Sequence, residues 1–228
     1  MISSKTIKKK ALSFGADLCG IASIDRFSTL PDISNPAKIL PNSNSVIVIA
    51  KHFLDSTIVA TSSIPYTIIR NYLSREIDRI TISLSYYIEK SGFSAIPTGA
   101  IEPCNWDPEV SKTMGLISLK NAAVQAGLGV VGKNTLLITP QYGNMVWLGG
   151  VVTSIRIHPD SIISNTICKD SCSLCISNCP VQALHGDIFM DQVKCRNYAF
   201  GEENGGEWRI KCFKCRAICP YSKGFKIK

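Results

Sequence analysis

Residues 168–180 read CKDSCSLCISNCP and residues 212–220 read CFKCRAICP, and these two stretches decide how the chain is interpreted. Together with Cys195, which lies between them, they contain eight of the ten cysteines in the 228-residue chain. Both stretches end in the same pattern, Cys-x2-Cys-x3-Cys-Pro. Thiols at this density are typical of disulfide frameworks or of bound metal, and their spacing helps to distinguish the two.

The repeated pattern predicts two 4Fe-4S clusters. A Cys-x2-Cys pair places two thiolates on one tight turn, where they can bind two irons of the same cubane. In ferredoxins that carry two clusters, the cysteine before the proline reaches across to the other cluster. Applied to this sequence, that rule divides the eight cysteines into two sets of four. The first set is Cys168, Cys172, Cys175 and Cys219, and the second set is Cys195, Cys212, Cys215 and Cys179.

Zinc and disulfide bonds are the alternatives. The sequence departs from the ferredoxin pattern by having three residues in its first gap and sixteen residues between Cys195 and Cys212. Two zinc sites of four thiolates each would also use eight cysteines, but zinc knuckles usually pair Cys-x2-Cys units without the Cys-x3-Cys-Pro step. A disulfide framework is typical of small secreted domains, and the N-terminus lacks the features of a signal peptide. Iron and sulfur are therefore favoured, with zinc second.

Length and composition predict two domains and no membrane segment. A cysteine-rich tail of about sixty residues leaves about 165 residues, enough for a separate hydrophobic core. The composition changes after His158-Pro159, so we predict an α/β cofactor-binding-type domain at residues 1–160 and a ferredoxin-like domain at residues 161–228. No apolar run approaches the length of a membrane span. Metal-binding thiols and the absence of an export signal predict a cytoplasmic protein.

The formal net charge of +8 does not by itself indicate nucleic-acid binding. Eight ligating thiolates would add about eight negative charges against about four positive charges on two oxidised cluster cores, which lowers the net charge to roughly +4. Basic residues alternate with the predicted ligands in the tail, where they would offset this negative charge. These residues are Lys169, Lys194, Arg196, Lys211, Lys214 and Arg216. A nucleic-acid surface is the less favoured interpretation of the charge.

Hydrophobic periodicity predicts a mixed α/β order before the tail. The apolar run at residues 45–50 is typical of a buried strand. Apolar residues at steps of three or four from Ile69 to Ile88 indicate a long amphipathic helix. We also expect helices at residues 3–14 and 111–126, strands at 17–23, 93–101 and 135–138, and a pair of strands at 145–157 with Gly149-Gly150 as a bulge or turn.

The glycine loop AGLGVVGKN, residues 126–134, matches G-x-G-x-x-G and most of a P-loop. Both nucleotide-binding patterns require a strand before the glycines and a helix after them, so that a phosphate lies at the helix N-terminus. Here a predicted helix comes before the loop and a predicted strand after it, so we expect no nucleotide site. Two interpretations remain. The glycines form a helix cap and a tight turn, or the loop amides, Lys133 and Asn134 contact another ligand.

Taken together, the glycine loop and the cysteine-rich tail resemble the epoxyqueuosine reductase family, which is itself similar to the cobalamin-dependent reductive dehalogenases. The resemblance extends from FGADLCGIA, residues 14–22, to Pro220. It implies a nitroreductase-like α/β (α+β) domain that binds cobalamin, and two clusters that pass electrons to the cobalt. It also implies that Gly127, Gly129, Gly132, Lys133 and Asn134 border the corrin, and that the eight tail cysteines hold the clusters.

Two features of that family are missing from this sequence. The acidic proton donor of the family would fall near Thr113-Met114, where there is no carboxylate. The sequence also ends nine residues after Cys219, whereas the family continues into helical repeats that hold tRNA. We therefore expect a small-molecule substrate and no tRNA partner. The catalytic residue is unassigned, and by residue type alone the candidate acids are Tyr66, Tyr72, Asp107 and Glu109.

Two classes of function follow from these observations. The first is a cobalamin-dependent reductase in which two 4Fe-4S clusters deliver electrons to a corrinoid that acts on a small molecule. The second is an electron-transfer protein that reduces a partner, such as a corrinoid protein, without bond chemistry of its own. Either class would need an electron donor such as a ferredoxin or a flavodoxin.

Overall fold

A computed structural model gives the fold over residues 2–29, 35–101, 103–107, 112–164, 166–187, 189–202 and 206–226. The chain forms two compact units. The first unit comprises Met1–Lys51, Leu73–Gly129 and Trp147–Ile163, and the second comprises His52–Tyr72, Val130–Val146 and Ser164–Lys228. This division differs from a single boundary near residue 160, because the second unit also takes two segments from the earlier part of the chain.

Helices and strands alternate along the chain. In order they are α1 (Ser4–Ser13), β1 (Leu18–Ser23), α2 (Pro36–Ile39), β2 (Ser45–His52), α3 (Ile64–Glu89), β3 (Ala95–Thr98), β4 (Asn105–Asp107), β5 (Lys112–Met114), α4 (Leu119–Gln125), β6 (Val130–Val131), β7 (Leu137–Ile138), β8 (Val146–Thr153), α5 (Leu174–Ser177), α6 (Gln192–Ala199), β9 (Phe200–Gly201), β10 (Arg209–Ile210) and α7 (Lys214–Ala217). Short 3-10 helices lie at Ile24–Phe27 and at Asp55–Ile58. The architecture is mixed α/β, as predicted. Within the described residues, no helix is both long and apolar enough to cross a membrane.

The main core lies against a four-stranded sheet with the strand order β1-β2-β8-β3. β1 pairs with β2 and β3 pairs with β8, both antiparallel. The β2 residues Val46 to Ala50 are all fully buried, which explains the continuous apolar run in this strand. α3 packs Ile77, Ile80 and Leu84 into the core from one helix face. The predicted strand and the predicted long helix are confirmed, although α3 begins at Ile64.

The helix expected at residues 111–126 is wrong in its first half. The chain at Lys112–Met114 is the short strand β5, which pairs with β4. α4 starts only at Leu119, after Ser118, whose hydroxyl accepts a hydrogen bond from the Asn121 N–H group. This hydroxyl cap defines where the helix begins. Residues 108–111 lie outside the described part of the chain.

The pair of strands expected at residues 145–157 is also wrong, because β8 runs without interruption through both glycines. A Cβ atom on Gly149 would lie 2.3 Å from Ile77 Cγ2, and one on Gly150 would lie 3.1 Å from Thr98 Oγ1. Glycine is therefore needed here for close packing, and it does not mark a turn.

The second unit joins residues 52–72 to the cysteine-rich tail through aromatic packing. The Tyr66 ring is stacked on Phe53 at 5.1 Å and on Phe213 at 4.4 Å between ring centroids. The Ile210 N–H group donates a hydrogen bond to Thr67 Oγ1 at 3.0 Å. These contacts explain why a segment distant in sequence belongs to the same compact unit as the tail.

Candidate metal centre

One cleft in the second unit collects the first predicted set of cysteines. Its lining consists of Cys168, Cys172, Cys175 and Cys219 together with Lys133, Asn134, Leu174, Pro220 and Tyr221. The cleft contains about 310 Å³ of space, open solvent included. Cys219 comes from the second cysteine stretch and the other three from the first, so the structure brings together the four residues that the ferredoxin rule groups.

Short helices position the cysteines of this cleft. Cys175 lies within α5, and Cys219 follows α7 by two residues. α5 and α7 pack against each other. Pro180 and Pro220 follow the last cysteine of each stretch, where proline prevents the chain from continuing as a helix. The two similar sequence patterns therefore form two similar local structures in contact.

The second predicted set of cysteines is also a group of neighbours. Burial raises the pKa of the Cys195 thiol, and the nearby Cys212 and Cys179 raise it further. Burial raises the pKa of Cys215 to about 11, with Arg216 opposing this rise and Cys212 and Cys195 adding to it. The pKa of each of these two cysteines is therefore raised by other cysteines of its own predicted set.

The first set shows the same electrostatic pattern. Burial raises the pKa of Cys175 and of Cys219, and the nearby Cys168 and Cys172 raise the pKa of both further. Metal binding requires the thiolate form, and several thiolates can share a buried site only when a cation offsets their charge. The donor set therefore fits a positively charged metal core. Cys175 also acts on Cys215, which shows that the two sets lie close together.

Two backbone amides point at predicted ligand sulfurs. The Lys133 N–H group donates to Cys168 Sγ at 3.4 Å, and the Ala183 N–H group donates to Cys179 Sγ at 3.2 Å. Hydrogen bonds of this kind stabilise a thiolate and help to set the reduction potential of a cluster that it binds. Each predicted set therefore contains at least one sulfur that accepts a hydrogen bond from an amide.

The arrangement of the cysteines can be compared with what zinc sites and disulfide bonds require. All ten cysteines are free thiols. Among the described residues, no group of three or more His, Cys, Asp or Glu side chains is arranged to bind a single metal ion. A cubane distributes its four thiolates over four irons, so its ligands need not converge on one point as zinc ligands do.

Cys19 and Cys104 belong to neither set. Cys19 is partly buried against the core of the first unit, and burial raises its pKa to about 12. Cys104 is exposed.

The glycine loop is divided between the two units at Gly129 and Val130. Gly127 follows α4 with φ +70, and a Cβ atom there would lie 2.3 Å from the Ser161 carbonyl oxygen. A Cβ atom on Gly132 would lie 2.6 Å from Ile138 Cδ1. These two glycines are required by a helix end and by close packing. Gly129 is buried, and contact of the loop with a corrin stays a prediction.

Lys133 and Asn134 contact the cysteine stretches. Lys133 Nζ donates hydrogen bonds to the carbonyl oxygens of Lys169, Asp170 and Cys172 at 3.0, 3.0 and 3.1 Å. Asn134 Nδ2 donates to the Cys215 carbonyl oxygen at 3.3 Å. This role was not predicted, because the residues around a Gly-Lys-Asn turn contain no information about a loop that is distant in sequence. Lys133 thus supports the widened gap between Cys168 and Cys172.

The candidate proton donors have different environments. Tyr66 is 6% exposed and lies within the aromatic stack, whereas Tyr72 is 50% exposed. The side chain of Asp107 and all of Glu109 lie outside the described part of the chain. Tyr72 is thus the more accessible of the two described candidates.

A contact between a histidine and an aspartate was not predicted from the sequence. His52 Nε2 lies 3.1 Å from Asp55 Oδ1, and the His52 ring is stacked on Tyr142 at 4.5 Å. The three-residue spacing of His52 and Asp55 is visible in the sequence, but only the 3-10 helix that starts at Asp55 brings the two side chains together.

The fold places the chain in a defined structural class, although no family model matches the sequence. A reductive dehalogenase structure, described in connection with B12-dependent dehalogenation, superimposes with a TM-score of 0.72 and 19% identity, covering 95% of this chain and 31% of that one. An epoxyqueuosine reductase bound to a tRNA stem loop superimposes with a TM-score of 0.64 and 19% identity, covering 98% of this chain and 66% of that one. At such identities the likeness concerns the fold alone. The fold is that of the epoxyqueuosine reductases and reductive dehalogenases.

Among these two groups of proteins, the sequence is similar to the epoxyqueuosine reductases. The epoxyqueuosine reductase of Listeria monocytogenes is 35% identical over 119 residues, which cover 48% of this chain and 31% of the relative. That of Synechocystis is 26% identical, covering 94% of this chain and 73% of the relative. The chain is therefore related to the epoxyqueuosine reductases, as the glycine loop and the tail predicted. It spans less than a third of the Listeria relative's length.

Proposed function

We propose that the chain is an iron–sulfur reductase in which two 4Fe-4S clusters deliver electrons to a corrinoid that acts on a small molecule. The observation that carries this proposal is the cleft lined by Cys168, Cys172, Cys175 and Cys219. A cleft that combines three cysteines of one stretch with the last cysteine of the other is the arrangement that a two-cluster ferredoxin module requires. The neighbour relations of the other four cysteines support the second cluster.

The bound groups would supply one-electron transfer and the bond chemistry of reduced cobalamin. The residues of this chain hold and stabilise them. Eight cysteine thiolates would bind the irons, and the amides of Lys133 and Ala183 would stabilise two of the thiolates. The Lys133 ammonium fixes the loop between Cys168 and Cys172 by bonding to its carbonyl oxygens. These contacts keep the ligands in position during electron transfer.

A small-molecule substrate is part of the proposal. The place of the family's proton donor is taken by Thr113 and Met114, which lie in β5 and carry no carboxylate. Epoxyqueuosine reduction on tRNA would need another acid in that place. A structurally similar epoxyqueuosine reductase was solved with a tRNA stem loop, so tRNA is the substrate against which small molecules should be compared. A reductase assay with a tRNA and with small halogenated or epoxide compounds tests this part of the proposal.

A second candidate function is electron transfer to a partner without bond chemistry. One observation favours it. Lys133 and Asn134 were expected to border the corrin, yet their side chains already form hydrogen bonds with the cysteine stretches. A protein of this second kind would receive electrons from a ferredoxin or flavodoxin and pass them to a corrinoid protein. Absence of cobalamin binding by the fully loaded protein would favour it.

The test begins with metal content. Protein prepared without oxygen is expected to contain about eight iron and eight labile sulfide per chain. Cys175→Ser should lower both values, whereas Cys104→Ser, a change at an exposed cysteine outside both sets, should leave them unchanged. Stoichiometric zinc without sulfide would contradict the proposal.

Calorimetric titration with cobalamin, NAD and ATP then separates the two functions. The reductase predicts cobalamin binding that is lost in Gly129→Leu, since a side chain would fill space that the ligand needs. Neither function predicts binding of NAD or ATP, because β6 lies within the glycine loop and β7 follows it, where a nucleotide site would need a helix. Binding of ATP or NAD that depends on Lys133 would contradict that argument.

A further inference from the structure

Arg216 is a buried cation with an unused hydrogen-bond donor. Its side chain is 5% exposed and lies in α7, directly after Cys215. Its guanidinium carbon lies 5.0 Å from the centroid of the Phe53 ring. Nη1 is buried and has no hydrogen-bond partner among the described residues. Arg216 therefore differs from the exposed basic residues of the tail.

Such a group requires a negative charge beside it. Burying an ionised side chain without a partner is strongly unfavourable, and arginine cannot become neutral by losing a proton in a protein. The Phe53 ring offsets only part of this cost, since a cation–π contact is weaker than an ion pair in a dry site. No carboxylate in the described part of the chain forms an ion pair with Arg216. The missing anion must come from a group bound to the protein or from thiolates.

Cys215 of the second cysteine set directly precedes Arg216 in α7, so a thiolate of this set is the neighbouring source of negative charge along the chain. The backbone at Arg216 is fixed in place, because the Asn144 Nδ2 group donates to its carbonyl oxygen at 3.2 Å and Asn144 is 1% exposed. Of the six tail residues predicted to offset cluster charge, Arg216 alone is buried. Its charge is thus the least screened by water.

We propose that Arg216 is the counter-cation of the cluster held by Cys179, Cys195, Cys212 and Cys215, and that it raises the reduction potential of this cluster. The proposal rests on the proposed function, because it requires that the cluster is bound. A one-electron reductant such as dithionite adds one negative charge to the cluster. A fixed cation next to the cluster stabilises this reduced form more than the oxidised form.

The test is an anaerobic redox titration, monitored by EPR, of the unchanged protein and four variants. Arg216→Met and Arg216→Gln remove the charge, and Arg216→Lys keeps it. Lys214→Met removes an exposed charge from the same short helix and is the matched control. In the neutral Arg216 variants, the equilibrium constant for reduction of one cluster should fall at least tenfold, which corresponds to about 59 mV for a one-electron couple. The other cluster and Lys214→Met should shift much less.

The possible results separate the two proposals. Failure of the unchanged protein to hold iron and sulfide would remove the proposed function itself. Neutral Arg216 variants that hold eight iron with unchanged potentials, or shifts equal to that of Lys214→Met, would overturn the counter-cation role. If the neutral variants fail to load while Arg216→Lys loads fully, the charge is needed to hold the cluster, which supports the role. Loss of iron in all three Arg216 variants would show a need for the shape of arginine and would overturn it.

Discussion

Replacing Gly127 by alanine should destabilise the first unit far more than the same change at Gly92. Both glycines follow the end of a helix and have positive φ, +70 at Gly127 and +85 at Gly92. Alanine in this backbone region costs roughly 1–2 kcal/mol at either position. At Gly92 a Cβ atom would meet nothing within 4 Å, whereas at Gly127 it would lie 2.3 Å from the Ser161 carbonyl oxygen. Gly92→Ala therefore measures the backbone cost alone.

The extra cost at Gly127 comes from moving a backbone segment, because a carbonyl group cannot rotate away as a flexible side chain can. Overpacking of this kind typically costs about 1–3 kcal/mol. With a urea dependence of about 2 kcal/mol per molar, the unfolding midpoint of Gly127→Ala should lie roughly 1 M below that of Gly92→Ala. Far-UV circular dichroism during anaerobic urea titration measures both midpoints, and iron content checks that the tail is unaffected.

Equal midpoints for the two variants would refute the packing argument. A variant at Gly127 that keeps its stability and loses only cobalamin binding would instead show that this glycine serves a ligand. The experiment therefore decides between the helix-cap and ligand-contact interpretations of the first glycine in the loop.

Two further predictions concern cysteines. Cys219→Ala should disturb the cluster predicted to bind Cys168, Cys172 and Cys175. The protein should then lose about four of its eight iron atoms and one EPR signal. Damage confined to the cluster of Cys212 and Cys215 would contradict the crossing of ligands. Burial raises the pKa of Cys19 from 9.0 to about 12, so the folded state binds this proton more tightly than the unfolded state. Stability linked to Cys19 is complete below pH 9 and is lost as the pH rises toward 12. The urea midpoint should fall more between pH 8 and pH 10 in the unchanged protein than in Cys19→Ala, and equal falls would show that the thiol is not buried.

Sequence patterns predicted the elements whose signals are local. The apolar run of β2 and the apolar residues spaced by three or four in α3 both predicted burial, because the geometry of a strand or helix determines which of its residues share a face. The ferredoxin rule grouped Cys219 with Cys168, and the structure places both in one cleft. The shared cleft could be predicted because the Cys-x2-Cys-x3-Cys-Pro spacing recurs in two-cluster ferredoxins, and metal ligation by these cysteines stays a prediction.

Contacts between distant segments could not be predicted. Gly149 and Gly150 resemble turn residues in sequence, and only the approach of Ile77 and Thr98 shows why a strand contains them. The helix predicted at 111–126 begins later than expected, because Ser118 caps it at that point. The role of Lys133 depends on carbonyl groups of a loop more than thirty residues away, for which its own sequence context contains no signal.

The second unit is discontinuous, and this has a consequence for biosynthesis. Residues 52–72 and 130–146 leave the ribosome well before the cysteine stretches with which they pack. Until the last cysteine emerges, Tyr66 lacks Phe213 and the Lys133 ammonium lacks its carbonyl acceptors. Domains commonly fold in order of synthesis, but this unit can form its full set of contacts only after both cysteine stretches have been synthesised. Metal insertion is therefore expected to be a late step of maturation, and the tail cannot be treated as an autonomous module that could be exchanged between proteins on its own.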